Sequence, residues 1–421
     1  MSAEMIPETM RALVLSGTGF ENVALKEVPV SRPGAKQLLA RVDAAGVCTS
    51  LIKLIEQGPA HRHLAGWDPA RWPLILGDEG AVTLVEVGAD LQDKYAPGQR
   101  FVIQPAVDHP PINYRERFRD HARGLNKVSV GYTLPGHLAE YILIQEEVLA
   151  GRCLLPYSES LPYAHAAIAE PFSCVISAQD HHVHLKQDDG LGPRQVYRGL
   201  KPGGTVVILG LGAMGRMHVD LAMSYQPKAV VAVDVLDERL EKVRQLYTAR
   251  AQAKGVELHL VNGSQQDVGA FLDKLTEAAG ADDVVVAVGS PQAIWQGQQY
   301  LARGGVLNLF GGLKKGEDVL EFDTSLVHYR EITITGSSGG SPWDMVRTLE
   351  LMAAQEIAPA SHITRIADLE HAVEILAQIR DRRIDGKAVI YPHRRTGQMQ
   401  SVPSWTAEDE ARYLQEEDSV G

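Results

Sequence analysis

Three glycines and one aspartate have the spacing of a nucleotide-binding loop. Gly210, Gly212 and Gly215 follow an apolar run at 206–209, and Asp234 stands at the end of the next apolar run. In such a loop the first glycine permits a tight turn, the second lets the backbone approach a pyrophosphate, and the third lets the following helix pack against the strand. The N-terminus of that helix then faces the phosphates, and the carboxylate can accept hydrogen bonds from a ribose.

The surrounding elements favour nucleotide binding over glycines that serve packing alone. We predict a strand at 206–209, a helix at 214–222 and a second strand at 229–233, in the order that a nucleotide-binding unit requires. A carboxylate at Asp234 repels a 2′-phosphate, and Arg239 lies more than one helical turn further on, so the sequence favours NAD over NADP. The predicted cofactor contacts are Gly210, Gly212, Ala213, Met214, Gly215, Asp234 and Arg239.

Metal-capable side chains occur in three separate stretches. Cys48 follows an apolar run, Asp78 and Glu79 are adjacent, and Glu170 precedes a proline. A thiolate together with carboxylates can bind a divalent cation. Each stretch taken singly has a commoner explanation, because a lone cysteine is usually a small buried hydrophobe and an Asp-Glu pair usually lies in a solvated turn. The order of the three stretches relative to the glycine loop favours a metal site.

The composition indicates a globular protein that binds small molecules. A chain of 421 residues with 45% hydrophobic residues suffices for two domains with packed cores. The net charge of −12 and the lack of a long basic run argue against nucleic acid or an anionic membrane as a partner. The three cysteines form no CxxC pair, so a four-cysteine zinc site is excluded. The first ten residues lack the pattern of a signal peptide, and we expect a cytoplasmic protein.

The order of the predicted elements indicates an α/β chain. Short apolar runs broken by glycine and proline at 10–46 and 81–105 predict a β-rich unit. Helices that alternate with strands from 236 to 310 predict a parallel, doubly wound sheet. The segment 106–136 has no clear period, and we expect it to be a surface excursion.

The last part of the chain is expected to return to the β-rich unit. A helical pattern at 163–180, interrupted at Pro171, leads into the nucleotide-binding domain. After that domain we predict a helix near 343–354 and a closing strand in GKAVIYP. The tail from Gly397 is polar and acidic. A terminal helix at 408–417 is possible there, but we expect a solvated end.

Six short stretches carry a resemblance to a known superfamily. They are AAGVCTS, LILGDEGAVTLVEVG, AEPFSCV, LGLGAMG, VAVD and the closing GKAVI. In these stretches the chain resembles the zinc-dependent medium-chain dehydrogenase/reductase superfamily, in its polyol-dehydrogenase branch. Within that branch, Lys53 and stretches such as GQRFVIQPA look like the L-sorbose-1-phosphate reductase group.

The resemblance implies two domains and an active site. Residues 1–175 and 330–421 would form a GroES-like catalytic domain, with a Rossmann domain at 176–329 between them. Cys48, Asp78, Glu79 and Glu170 would be the metal ligands, and Ser50, Lys53 and Glu79 the catalytic residues. Relatives are often dimers or tetramers, which implies a homo-oligomer.

Two residues depart from the superfamily pattern. Asp78 replaces the usual histidine ligand, and because aspartate is shorter, we expect Asp78 to stay at the edge of the coordination shell while Cys48 and Glu79 or Glu170 hold the ion. Zinc is the expected ion, because the thiolate favours it, although the oxygen donors also admit manganese or cobalt. Lys53 replaces the relay histidine. It would either relay a proton after Ser50 or bind a substrate phosphate.

These features predict an NAD-dependent, metal-assisted dehydrogenase of a sugar, polyol or sugar phosphate. One alternative is an elimination or epimerisation in which tightly bound NAD oxidises a carbon only transiently. The other is a metal-free binding protein that kept the fold, since a fold alone does not establish an activity.

Overall fold

The chain divides into two compact units. The computed structural model describes residues 6–186, 190–313 and 316–416. The first unit comprises the chain up to Pro171, Ser341–Gln355 and the chain from Pro359 onward. The second unit comprises Phe172–Gly340 and Glu356–Ala358. The domain boundaries expected from the sequence, 175/176 and 329/330, differ from these divisions by several residues.

The first unit is built on β-sheets, as its apolar runs predict. Its strands up to residue 171 are β1 (Thr9–Leu15), β2 (Val23–Pro29), β3 (Leu38–Gly46), β4 (Leu74–Ile75), β5 (Glu79–Val87), β6 (Arg100–Ile103), β7 (Ala106–Asp108), β8 (Lys127–Ser129), β9 (Tyr141–Ile144) and β10 (Leu154–Pro156). Its helices in this part are α1 (Ser50–Gln57), α2 (Glu146–Ala150) and α3 (Tyr163–Ala167); α4 (Ala169–Asp180) begins here and continues into the second unit.

The second unit contains a parallel sheet with the strand order of a Rossmann fold. Its strands are β11 (Val183–Lys186), β12 (Gln195–Arg198), β13 (Thr205–Leu209), β14 (Ala229–Asp234), β15 (Glu257–Asn262), β16 (Ala281–Val286), β17 (Leu301–Leu309) and β18 (Thr333–Thr335). Its further helices are α5 (Ala213–Ala222), α6 (Asp237–Ala253), α7 (Val268–Thr276), α8 (Pro291–Gln299) and α9 (Thr324–Tyr329). The sheet order β15-β14-β13-β16-β17-β18 reverses direction at β13, which is the doubly wound arrangement.

The C-terminal segment completes the main sheet of the first unit. It contributes α10 (Pro342–Ala353), β19 (Ile363–Ala367), α11 (Ala372–Arg380), β20 (Lys387–Ile390), β21 (Gln400–Ser401) and α12 (Ala407–Gln415). The sheet order is β10-β6-β5-β3-β20-β19-β21, with β9 also paired to β3. The core of this unit therefore combines apolar side chains from both ends of the chain, such as Leu38 and Ile390.

Two local expectations were wrong. The segment 106–136 is not strandless, because β7 and β8 pair antiparallel with Val107 opposite Val128, and both valines are buried. Pro171 does not interrupt a helix. The break falls at Ile168, and Pro171 lies in the first turn of α4, where its missing N–H costs no helical hydrogen bond.

The acidic tail folds back instead of ending in solvent. In α12, Glu410 and Tyr413 are buried, and Thr406 with Asp409 forms a capping box at the helix start. The Glu410 carboxylate accepts hydrogen bonds from the backbone N–H groups of Tyr163 (2.6 Å) and Ala164 (2.7 Å). The expectation of a solvated end was wrong because buried groups on α12 interrupt its acidic pattern. Within the ranges that the structure describes, no helix is both long and apolar enough to span a membrane.

Candidate active site

The pairing of β3 with β5 brings the predicted metal ligands together. The strands are antiparallel with Gly46 opposite Glu79, so Cys48 just after β3 meets Asp78 just before β5. One ligand atom from each of Cys48, Asp78 and Glu79 lies within 4.8 Å of the others. A Cβ at position 46 would overlap the Glu79 carboxylate as it now lies, so the glycine leaves room for this placement of Glu79. We call Cys48, Asp78 and Glu79 the acidic triad.

Two carboxylate oxygens of the acidic triad are buried without a hydrogen bond. Ser50 Oγ donates to Asp78 Oδ2 at 2.9 Å, which leaves Asp78 Oδ1. Glu79 Oε2 has no hydrogen-bond partner either within the described ranges. Buried carboxylate oxygens are costly unless a donor or a cation compensates them. These two oxygens and the Cys48 sulfur therefore fit a divalent cation, and the sulfur favours zinc.

Lys387 supplies a cation to this site that the sequence did not reveal. Its ammonium donates to Glu79 Oε1 at 2.5 Å and to the carbonyl of Val47 at 3.2 Å, and it is buried. Strand β20 delivers it, because Val389 pairs with Gly46. The sequence offered one indication of this residue, because Lys387 is a charged residue at the start of an otherwise apolar strand. Burial alone would lower the pKa of Lys387, but the charges of Glu79 and Cys48 outweigh burial and raise it.

The electrostatics of the acidic triad favour a bound cation. Burial, followed by the charges of Asp78 and Glu79, raises the pKa of the Cys48 thiol well above its ordinary value. Burial and the Glu79 charge raise the pKa of Asp78 to about 6. Both shifts arise because negative charges are confined together in a buried space, and a divalent ion would relieve them.

Asp78 keeps an unpartnered oxygen and lies with Cys48 and Glu79 in one group of potential ligand atoms. Its expected place at the edge of the coordination shell stays a prediction. Glu170 lies in the first turn of α4, buried, and its charge contributes to raising the pKa of Cys48. It lies outside the 4.8 Å group. The pairing of β3 with β5 therefore brings Asp78 and Glu79 to the Cys48 thiol.

Tyr132 lies next to the acidic triad, and Lys53 follows Ser50 on α1. Burial and the charges of Asp78 and Cys48 raise the pKa of the Tyr132 hydroxyl, while a hydrogen bond with Ser50 opposes the rise. Lys53 is exposed on α1, three residues after Ser50, and positions three apart share one face of a helix. The sequence identified Lys53 but not Tyr132, because the segment that carries Tyr132 shows no period.

The glycine loop of the second unit has the geometry that its sequence predicts. Gly210 has a φ of +92°, which favours glycine, and a Cβ at Gly215 would overlap the carbonyl oxygen of Gly210. A Cβ at Gly212 would meet no atom within 4 Å in the described part of the chain. Ala213 and Met214 open α5, whose N-cap residue provides no side-chain hydrogen bond. The N–H groups of this helix start are thus open to a phosphate.

A cavity of about 630 Å³ lies beside this loop, lined among others by Gly212, Asp234 and Arg239. Asp234 Oδ2 accepts from the backbone N–H of Leu211 at 2.7 Å. Arg239 Nη1 lies 3.4 Å from the same oxygen. Asp234 and Arg239, both predicted as cofactor contacts, therefore line the same cavity.

Comparison with known proteins identifies the superfamily. A family model described as zinc-binding dehydrogenase matches residues 213–354, and one described as alcohol dehydrogenase GroES-like domain matches residues 34–152. A mannitol-1-phosphate 5-dehydrogenase of Aliivibrio fischeri is 33% identical over 385 residues, which are 89% of this chain and 85% of that protein. An L-sorbose 1-phosphate reductase of Klebsiella pneumoniae is 31% identical, over 80% of this chain and 78% of that protein. The chain belongs to the zinc-type medium-chain dehydrogenase/reductase superfamily.

Within this superfamily the chain falls in the polyol-dehydrogenase branch, as the sequence predicted. The solved structure of 2R,3R-butanediol dehydrogenase from Bacillus subtilis has the same fold, with a TM-score of 0.73 at 19% identity over 91% of this chain and all of that one. The first unit is therefore the GroES-like part of a medium-chain dehydrogenase and the second its Rossmann part.

Proposed function

We propose that the protein is an NAD-dependent, metal-assisted dehydrogenase that acts on a sugar, a polyol or a sugar phosphate. The observation that carries the proposal is the acidic triad with its two unpartnered, buried carboxylate oxygens. The names of the similar proteins, mannitol-1-phosphate 5-dehydrogenase and L-sorbose 1-phosphate reductase, support this substrate class.

The metal would be held by residues of the first unit. Cys48, Asp78 and Glu79 are the proposed ligands, and Glu170 is the candidate for a further carboxylate. A divalent ion bound there supplies Lewis acidity toward a substrate hydroxyl. Lys387 neutralises part of the charge of Glu79, so the ligand set is less anionic than its residue types suggest.

Ser50 is proposed to move the substrate proton. Its Oγ donates to Asp78 Oδ2, which fixes the hydroxyl beside the triad and leaves its lone pairs as acceptors. These lone pairs can accept a hydrogen bond from a substrate hydroxyl, so Ser50 is the group that would receive its proton. Glu79 then has a charge-setting and ligand role, since Lys387 occupies its other oxygen.

The cofactor would be held by residues of the second unit. The open N–H groups of α5 are proposed to bind the pyrophosphate, and Asp234 the adenosine ribose. Bound NAD supplies the hydride acceptor. Arg239 beside Asp234 would contact the same end of the dinucleotide.

Metal and nucleotide analysis of the purified protein, followed by a screen of polyols and their phosphates for NADH formation, tests the proposal. Net NADH formation also separates it from an elimination or epimerisation without net oxidation. Cys48→Ala should remove both metal and activity while NAD binding persists, and Cys153→Ala is the matched control at a buried cysteine outside the triad. Full activity after exhaustive chelation, with no metal detectable, would refute the metal-assisted mechanism.

We also propose that the protein is a homo-oligomer. The resemblance to a superfamily whose members are often dimers or tetramers supports it. Light scattering coupled to size exclusion measures the mass directly, and a monomer across the micromolar range would contradict the proposal. A cytoplasmic location stays a prediction from the sequence.

A further inference from the structure

Basic side chains cluster on the side of Tyr132 where its ring meets two histidine rings. The ring centroids of His61 and His63 lie 5.5 Å and 5.6 Å from that of Tyr132, and Arg62 Nε lies 3.3 Å from His63 Nε2. Lys53 belongs to α1, and the turn that carries both histidines follows that helix directly. The basic group, as we call it, consists of Lys53, His61, Arg62, His63 and Lys127.

The positive charges of the basic group act on its histidines. Burial, then Arg62 and Lys53, lowers the pKa of His61. Burial, then Arg62, His61 and Lys127, lowers the pKa of His63 to about 4. The two imidazoles are therefore neutral at pH 7 and can still donate hydrogen bonds, while Lys53, Arg62 and Lys127 supply the charge.

Tyr132 connects the basic group to the acidic triad. Its ring contacts His61 and His63, and its hydroxyl lies close enough to Ser50, Asp78 and Cys48 for these groups to shift its pKa. A cationic region thus adjoins an anionic one within the first unit. This contrast is notable in a chain whose net charge is −12, because a general excess of acidic residues would not produce it.

We infer that the basic group binds the phosphate of a phosphorylated polyol or sugar whose reacting hydroxyl lies at the acidic triad. This inference rests on the proposed function and specifies its substrate class. Arginine presents a fork of donors that matches a phosphate, lysine adds a point charge, and neutral imidazoles add hydrogen-bond donors. Lys127 also pairs with Asp108 at 3.4 Å. Both side chains are partly exposed, so this screened pair can yield to a dianion.

The sequence left two roles open for Lys53, a proton relay after Ser50 and the binding of a substrate phosphate. The inference selects the second. Lys53 is exposed on α1 and close enough to His61 to influence its pKa, while Ser50 Oγ donates to Asp78. Lys53 is therefore grouped with the phosphate-binding cations rather than with a proton path from Ser50.

Steady-state kinetics with mannitol 1-phosphate, L-sorbose 1-phosphate and their unphosphorylated forms tests the inference. Arg62→Gln and Lys53→Met should each raise KM for the phosphorylated substrate roughly 10- to 100-fold, as expected for a lost charge-assisted hydrogen bond. The same variants should raise KM for the free polyol far less than KM for the phosphorylated substrate, and this difference is the readout. Lys36→Gln is the matched control. Lys36 is an exposed lysine of the first unit that does not belong to the basic group.

The outcomes separate the inference from the proposed function. Turnover of free polyols with no preference for phosphates, or equal losses on both substrates in Arg62→Gln, would overturn the inference and leave the dehydrogenase proposal intact. If no substrate yields NADH, the proposed function fails. Thermal denaturation with and without mannitol 1-phosphate then tests the phosphate site by itself. Stabilisation of the wild type that Arg62→Gln loses supports a phosphate site, whereas no stabilisation of the wild type refutes it.

Discussion

The ammonium of Lys387 lies 2.5 Å from Glu79 Oε1, although 308 residues separate the two in the chain. This ion pair changes the charge balance of the candidate metal centre. With Cys48, Asp78 and Glu79 all ionised, their three negative charges would be balanced by the two positive charges of the ion and the one of the ammonium. The acidic triad can therefore bind a divalent ion without an excess of negative charge that would weaken its Lewis acidity.

Lys387→Met should destabilise the protein mainly when metal is absent. It leaves the buried Glu79 carboxylate uncompensated, and removal of one partner of a buried pair costs about 3–5 kcal/mol. A bound ion replaces part of the lost charge, so the loss should be smaller in the metal-loaded protein. Urea unfolding with and without chelator measures both values, and Lys387→Arg should stay close to the wild type. Equal losses in the two conditions would contradict a shared charge balance.

Asp234→Ser should shift the cofactor preference toward NADP. The change removes the carboxylate that repels a 2′-phosphate and releases Arg239, which now pairs with it at 3.4 Å. We expect the Kd for NAD to rise roughly tenfold and the Kd for NADP to fall. Fluorescence titration with both nucleotides checks this. In Asp234→Ser with Arg239→Ala the gain for NADP should disappear, and a wild type that binds both nucleotides equally would refute the role of Asp234.

His218 should make stability fall on acidification. Burial, then the neighbouring His182, lowers the pKa of His218 to about 3. The unfolded chain therefore takes up a proton near pH 6.5 that the folded chain does not bind until about pH 3, so stability is lost as pH falls through this window. Between pH 6.5 and 5 the loss is about 2 kcal/mol. In His218→Gln the free energy of unfolding, measured by calorimetry, should fall by about 2 kcal/mol less between pH 6.5 and 5 than it does in the wild type. An equal fall in both proteins would contradict this assignment.

Glu410→Ala should show that α12 is part of the first unit. The buried carboxylate accepts from two backbone N–H groups and from the Tyr391 hydroxyl at 2.7 Å. Unsatisfied buried donors cost about 1–3 kcal/mol each, so we expect a loss of roughly 3 kcal/mol or more in urea unfolding. Glu408→Ala on the exposed face of the same helix is the control, with a change within about 0.5 kcal/mol. If the tail contributes nothing to stability, Glu410→Ala and Glu408→Ala would have the same free energy of unfolding.

Local patterns explain why most of the fold was predictable. The alternation of helices and strands from 236 to 310 follows from apolar runs, and the turn at Gly210 follows from the positive φ that glycine accepts. The arrangement around the acidic triad depends on long-range pairing. Lys387 reaches Glu79 only because β20 pairs with β3, and a single sequence carries no record of that register.

The tail was mispredicted for a different reason. The exposed side chains of α12 give the tail its acidic composition, whereas its docking depends on a few buried groups such as Glu410 and Tyr413. Composition and spacing do not show which groups of α12 become buried against the rest of the first unit.

The pairing of β20 with β3 also fixes the order in which the two units can be completed during translation. The ribosome makes Phe172–Gly340 between the two strands, so the second unit emerges while the main sheet of the first still lacks β20. At a translation rate of about 5–20 residues per second, Lys387 is synthesised roughly 15–60 s after Glu79. During that interval the nascent chain holds a cluster of carboxylates without its counter-charge, and the first unit closes only after the second is finished.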